Sequence, residues 1–238
     1  MAPEKHDNQM PCWWVDLPET DYLKALDLQL AIVGAKTAGR LDSDVILCIE
    51  HPRVFTLGRR GGRENLCVSD AFLSEKRVAV VPTDRGGNIT YHGPGQLVVY
   101  PIIDLNRRRL KVVDFVAGLE SAMLRTAANW NIAATTDPAN RGVWLDGDKL
   151  GSVGITVRRG VSFHGLALNV NTDMEPFGWI NPCGLNQVRM TSLECHLGRP
   201  VAMAEARQHM ARHLSAVFGI ALTTVSLEQL YAEIESGD

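Results

Sequence analysis

The run Arg85-Gly86-Gly87-Asn88-Ile89-Thr90-Tyr91-His92-Gly93-Pro94-Gly95-Gln96 packs four glycines, a proline and the hydrogen-bonding side chains of Thr90, Tyr91, His92 and Gln96 together. Leu97-Val98-Val99-Tyr100-Pro101-Ile102 follows at once. Each glycine removes a Cβ, so backbone N–H groups can approach a ligand closely and φ is free to turn positive, while Pro94 restricts the residue before it. The apolar β-branched residues that follow predict a strand that holds this loop in place. The loop reads as a binding loop. A glycine cluster between strands also serves as an ordinary turn, so the loop by itself does not decide the function. Lys149 and Cys183, farther along the chain, shift the reading toward a site.

The 238 residues, 45% of them hydrophobic, are enough for one α/β or α+β unit with an ample core, so the whole of 1–238 is expected to be a single domain. A net charge of −3 argues against a nucleic-acid partner, since that affinity comes largely from clustered Lys and Arg neutralising phosphates. No apolar run has the length of a membrane span, and Met1 to Pro11 is polar, without the apolar segment of a signal peptide. A soluble, cytoplasmic protein is expected. Cys12, Cys48, Cys67, Cys183 and Cys195 are odd in number and lack C-x-x-C spacing, which fits neither a disulfide framework nor a zinc site. Reduced thiols and no metal are expected; the adjacent pair Cys195-His196 is poorly spaced to ligate one ion.

Periodicity predicts both kinds of element and no repeat. Asp21 to Ala38 carries Tyr22, Leu26, Leu30 and Val33 at helical spacing, with Thr20 or Asp21 as cap. Asp114 to Trp130 is a second helix, with Asp114 as cap, and Met203 to Phe218 a C-terminal one. Val45 to Ile49, Val54 to Leu57, Val78 to Val81 and Val161 to Val170 predict strands. Gly142 to Leu145 and Lys149 to Val157 flank the turn Asp146-Gly147-Asp148, which puts Lys149 at the mouth of a hairpin.

Four separated motifs give the chain a family likeness. They are the loop from Arg85 to Gln96; Lys149 with Gly151-Ser152-Val153-Gly154; Phe163-His164-Gly165-Leu166-Ala167-Leu168-Asn169-Val170-Asn171; and Asn181-Pro182-Cys183-Gly184. In this order they closely resemble the lipoyl(octanoyl) transferase family, over about residues 50–193, beginning near Glu50-His51-Pro52 and thinning through Thr191-Ser192-Leu193. The polar extension of about residues 1–12 lies outside the likeness. The resemblance implies an α+β fold, a mixed sheet flanked by helices, shared with the catalytic domain of biotin and lipoate protein ligases. It implies an acyltransferase that moves an octanoyl group from an acyl-carrier-protein thioester to a lysine of a lipoyl domain, with no cofactor. The acceptors it implies are the lipoyl domains of 2-oxoacid dehydrogenase complexes and the glycine cleavage H protein. Carried over by position, Cys183 and Lys149 are catalytic. Arg85, Gly86, Gly87, Asn88, Ile89, Thr90, Tyr91, His92, Ser152, Val153, Gly154, Gly165, Leu166 and Ala167 line the acyl-binding site.

These residue types suit that chemistry. A cysteine between Pro182 and Gly184, after the apolar stretch Phe177 to Ile180, can present its sulfur at a turn. A thiolate attacking a thioester exchanges one sulfur ester for another at little thermodynamic cost, so ATP is not required. An unperturbed thiol is only slightly ionised at pH 7 and needs a neighbouring base or cation, which Lys149 can be. The same amine can later take a proton from the attacking acceptor lysine. The other four cysteines read as small buried hydrophobes. His92 and His164 are placed in binding, and the oxyanion donors are left open among backbone N–H groups near Gly86, Gly87 and Gly165. Basic clusters at Arg59-Arg60, at Arg107-Arg108-Arg109 with Lys111, and at Arg158-Arg159 are either solvated faces or a rim for acidic protein partners. Two other functions compete: an ATP-dependent lipoate or biotin protein ligase, and a non-catalytic acyl-carrier-binding relative. The cysteine weighs against the first, and Lys149 and Cys183 together against the second.

Overall fold

The computed structural model describes residues 10–181 and 188–235. The chain opens with strand β1 (Cys12–Asp16), and helix α1 (Tyr22–Thr37) follows, capped by Asp21, whose carboxylate accepts from the N–H groups of Leu23 and Lys24. Strands β2 (Asp44–Ile49) and β3 (Val54–Leu57) come next, then the short helix α2 (Asp70–Glu75) and strands β4 (Ala79–Pro82), β5 (Ile89–His92) and β6 (Gln96–Ile102). Helix α3 (Val112–Ala128) leads to β7 (Thr135–Thr136), β8 (Val143–Leu145), β9 (Asp148–Arg158) and β10 (Val161–Asn169). Helices α4 (Leu193–Leu197) and α5 (Met203–Phe218), strand β11 (Leu222–Thr224) and helix α6 (Leu227–Glu235) complete the described chain.

Two sheets result. The larger runs β11-β1-β2-β6-β10-β9-β8-β7 and the smaller β4-β3-β5. Both are mixed: β1 lies parallel to β2 and β11, and β3 parallel to β4, while the pairings of β6, β8, β9 and β10 are antiparallel. Because β2, β6 and β10 are buried along their whole length, both faces of the larger sheet need a cover. Phe115, Leu119 and Met123 of α3 and Met210 and Leu214 of α5 bury one face; Leu28 and Ile32 of α1 with Leu230 of α6 bury the other. Each such side chain contributes about 1.5–3 kcal/mol by leaving water. The expected α+β architecture, a mixed sheet flanked by helices, is what forms. A third apolar cluster joins Phe55, Ile89 and Tyr91 of the small sheet to Phe177 and Trp179.

Some boundaries differ from the sequence reading. Helix α3 starts from Lys111, not Asp114, and Lys111 makes no side-chain cap hydrogen bond. Asp114 sits inside the first turn, where a carboxylate faces the positive end of the helix dipole; acids favour that turn as well as the cap, so the same residue type marks both. Strand β1 and β11 were not anticipated. β1 lies between two neighbours and is mostly buried, so no alternation of polar and apolar residues marks it.

Candidate active site

The hairpin of β9 and β10 sets the frame. Their register pairs Gly165 with Gly154, Leu166 with Val153 and Ala167 with Ser152, so two motifs read separately along the sequence become one surface. On the other side of β10, Leu166 pairs with Val99 and Ala167 with Val98 of β6. Gly165 permits this packing, since a Cβ built there would stand 2.0 Å from the Val99 carbonyl oxygen. The glycine loop lies against the same surface, with the Gly86 N–H bonded to the carbonyl of Ile155 at 3.0 Å.

Between these elements lies a cavity of about 660 Å³. Of the expected binding residues, Arg85, Gly86, Gly87, Asn88, Ile89, Thr90, His92, Ser152, Val153, Gly154, Gly165, Leu166 and Ala167 line it, together with Lys149. Tyr91 is not among the lining residues. Strand alternation turns it from the side of Thr90 and His92, and it packs against Phe55 and Phe177 with ring centroids 5.5 and 5.3 Å away. Arg85 is buried beneath the loop: its Nε donates to Thr56 Oγ1 at 3.0 Å and its NH2 to the Thr56 carbonyl at 2.6 Å, fixing the loop to β3.

Lys149 enters the cavity wall from β9. The tight turn Asp146-Gly147 before it has φ of 50° and 87°, the positive values a two-residue hairpin turn requires. Its N–H donates to the carbonyl of Arg189 at 2.8 Å, and its carbonyl accepts from Thr191 at 3.0 Å. The side chain is 6% exposed; Nζ donates to the Arg141 carbonyl at 2.8 Å and stands 5.1 Å from the centroid of the Trp144 ring. Cys183, expected as nucleophile, lies outside the described residues. Val188 and Met190, described just after it, line the cavity.

Several residues that local sequence patterns do not single out complete the cavity. Tyr22 from the start of α1 and Tyr100 from β6 line it, and His51 is buried behind them. His51 Nδ1 donates to the Thr20 carbonyl at 2.7 Å, leaving Nε2 to accept from the Tyr100 hydroxyl at 2.7 Å. Gln96 donates through Nε2 to Asn169 Oδ1 and to the Tyr91 carbonyl, so its Oε1 can only accept. His92 therefore donates through Nδ1, at 2.7 Å, and keeps a bare Nε2. In that tautomer it accepts a hydrogen bond through Nε2 and cannot donate one from there to a ligand. Burial pushes His51 down to about 4, against the pull of the Thr20 hydrogen bond, and His92 to about 3, with the neighbouring His51 and Arg85 adding to the effect. Burial also lowers His164, opposed by its 2.9 Å contact with Asp84. At those values the His51 and His92 rings are neutral at pH 7.

The basic clusters divide. Arg107 pairs with Asp42 at 3.0 Å, Arg108 with the buried Asp44, and Arg158 with Asp84 at 3.3 Å, so these serve the fold's own carboxylates. Arg60 lines the cavity. Cys12 and Cys48 are buried as expected, whereas Cys67 and Cys195 are exposed. His209 and His213 stand one turn apart on α5, a spacing suited to a ligand pair that sequence inspection passed over. Their ring nitrogens contact Arg212 at 3.2 Å and Asn129 at 2.9 Å, and among the described residues no cluster of three or more His, Cys, Asp or Glu side chains could hold a metal. No helix among the described residues is long and apolar enough to cross a membrane.

Comparison with known proteins accounts for this arrangement. The model of the lipoyl protein ligase A/B catalytic domain matches residues 21–215, from α1 to α5 and so beyond the stretch carried by the four motifs. An octanoyltransferase of Desulfotalea psychrophila is 47% identical over 207 residues, covering 86% of this chain and 93% of its own length. One of Syntrophobacter fumaroxidans is 43% identical over 204 residues, covering 86% and 89%. Among solved structures, a bi-partite lipoate protein ligase from Thermoplasma acidophilum superposes with a TM-score of 0.73 at 15% identity, over 95% of this chain and 91% of that one, a likeness of fold. With a family model matching residues 21–215 and relatives this close over most of its length, the chain belongs to the octanoyltransferases of the lipoyl protein ligase A/B catalytic-domain family and is an acyltransferase.

Proposed function

We propose that the chain, acting as one catalytic domain, moves an octanoyl group from an acyl-carrier-protein thioester to a lysine of lipoyl domains, through an acyl-enzyme on Cys183 with Lys149 as acid and base. The observation that carries this reading is Lys149, 6% exposed as a residue and held in the wall of a cavity that also offers Val98, Leu166 and Ala167 to an alkyl chain. Supporting the single domain, the cavity borders all three apolar clusters, through Leu166, Val98 and Ile89. Cys183 enters on its motif and on the family.

In the first half-reaction Lys149 takes the Cys183 thiol proton, the thiolate adds to the thioester carbonyl, and the carrier's sulfur leaves with the proton that Lys149 returns. In the second, the acceptor amine adds to the acyl-cysteine, Lys149 takes the amine's proton, and Cys183 leaves as the thiol. A thioester becomes an amide, so the exchange runs downhill without ATP. The acceptors fitting this reading are the lipoyl domains of 2-oxoacid dehydrogenase complexes and the glycine cleavage H protein. A nucleophilic thiol suits the reducing cytoplasm.

Purified protein, octanoyl-carrier and apo lipoyl domain, mixed without ATP and followed by intact mass, test this. The expected result is a transient octanoyl adduct on the enzyme and an acylated acceptor lysine. Cys183→Ser should lose ordinary turnover, and Lys149→Ala should slow both adduct formation and discharge by about 100-fold or more, the usual worth of a general base. A fully active Cys183→Ala refutes the covalent route, and an absolute need for ATP points to a ligase.

A further inference from the structure

Helix α3 carries a carboxylate the reaction has not yet used. Glu120 is 3% exposed, on a helix whose other buried residues include Phe115, Leu119 and Met123. Burying a carboxylate is costly unless it is paired and hydrogen-bonded. Its Oε1 accepts from the Gly142 N–H at 2.7 Å, and its Oε2 from Arg141 NH1 at 3.0 Å. The Gly142 N–H and the Arg141 carbonyl are two ends of one peptide group, and that carbonyl is the acceptor of Lys149 Nζ at 2.8 Å. The Glu120 carboxylate, the peptide and the Lys149 Nζ thus form one continuous line of hydrogen bonds.

The loop around that peptide is built to hold it. Asp137 accepts from the Ala139 N–H at 2.8 Å and from Asn140 Nδ2 at 2.9 Å, and the Trp144 indole donates to the Asn140 carbonyl at 2.9 Å. Gly142 has φ of 127°, and a Cβ there would stand 2.4 Å from the Gly151 carbonyl oxygen and 2.8 Å from Lys149 Cε. The backbone therefore comes as close to the lysine stem as atoms allow.

We propose that Glu120 is a positioning residue for Lys149: by gripping the Arg141–Gly142 peptide it aims the Arg141 carbonyl at Nζ and strengthens it as an acceptor, holding Nζ at a fixed place in the cavity. Hydrogen bonds in series polarise one another, most strongly when an end member is charged. The inference rests on the reading of Lys149 as acid and base. Among the described residues, the charged groups on the elements around the lysine include Glu120 on α3, Arg141 and Asp137 on the loop, and Asp148, which is paired with Arg189 at 2.9 Å.

Glu120→Gln keeps the shape and the acceptor for Gly142 while removing the charge. The readout is the titration of the Lys149 side chain by NMR on carbon-13-labelled lysine, assigned by its loss in Lys149→Ala, beside the pH profile of transfer. In Glu120→Gln the lysine midpoint and the acidic limb of kcat should both move to lower pH by about half a unit to one unit, with KM changed less than about twofold. Glu120→Asp, which keeps the charge but draws the carboxylate back from the Gly142 N–H by one methylene, should move the midpoint the same way by a smaller step and decides the matter if the Gln variant does not fold. An unmoved midpoint overturns the proposal even if activity falls, because a merely structural role predicts loss without a shift. If Lys149→Ala transfers at the wild-type rate, the acid and base reading of Lys149 fails instead, and the NMR midpoint still judges Glu120.

Discussion

Gly165 shows how one missing methyl group governs the site. Its Cα lies so close to the antiparallel neighbour β6 that a side chain would meet the Val99 carbonyl at 2.0 Å and Pro101 Cδ at 2.7 Å. Backbone cannot yield as a flexible side chain can, so Gly165→Ala must part the two strands that form the cavity floor. The expected cost is about 2–3 kcal/mol of stability, read as a lowered midpoint in urea, together with loss of acyl transfer. A variant of unchanged stability would show that β6 and β10 are farther apart than this packing demands. The neighbouring His164 has φ of 56°, a left-handed conformation for a non-glycine residue inside a strand, and its ring is held by Asp84.

At the level of elements, α1 delivers Tyr22 to the cavity, and the capping of α1 decides how firmly. Asp21 Oδ1 accepts from Leu23 N at 2.9 Å and Lys24 N at 3.2 Å. Asp21→Ala should cost about 1 kcal/mol and, by loosening the first turn, raise KM for the acyl donor more than it lowers kcat. Thermal melts with steady-state kinetics check this; an unchanged melt would mean the first turn does not depend on its cap. This helix was legible in the sequence because cap and periodicity agree. The β8 and β9 hairpin was legible because Asp146-Gly147 demands a turn. The glycine loop and the β9 and β10 motifs were singled out separately along the sequence, and the strand register brings them to one cavity. Tyr22 and Tyr100, which line the cavity, and His51 behind them were not read as parts of the site. They come from three distant segments, and nothing local distinguishes a tyrosine that lines a cavity from one that fills a core. Glu120 was hidden for the same reason: its partners at Arg141 and Gly142 meet it only after α3 packs beside β8 and β9. Tyr91 shows the converse, since motif position put it in the site and strand alternation turned it into the third apolar cluster.

Across the whole molecule, the two sheets and α1 meet around buried histidines, and that ties stability to pH. His51 and His92 have folded values of about 4 and about 3, and His164 is lowered as well, in each case first by burial. An unfolded histidine titrates near 6.5, so below that pH the unfolded chain binds protons that the folded chain refuses. The sign follows: the folded state has its full stability above about pH 6.5 and loses it as pH falls toward the folded values, at a limiting slope of about 1.4 kcal/mol per unit for each neutral histidine. By pH 5 the loss should approach about 2 kcal/mol for His51 and again for His92, before most carboxylates have begun to protonate. Urea unfolding at pH 7.5, 6, 5.5 and 5 would measure it. His92→Asn, whatever its stability at neutral pH, should show a shallower decline over this window than the parent chain. A stability that stays level from about pH 6.5 to 5 would mean that these rings take up protons in place, and that their burial in the fold does not hold them neutral.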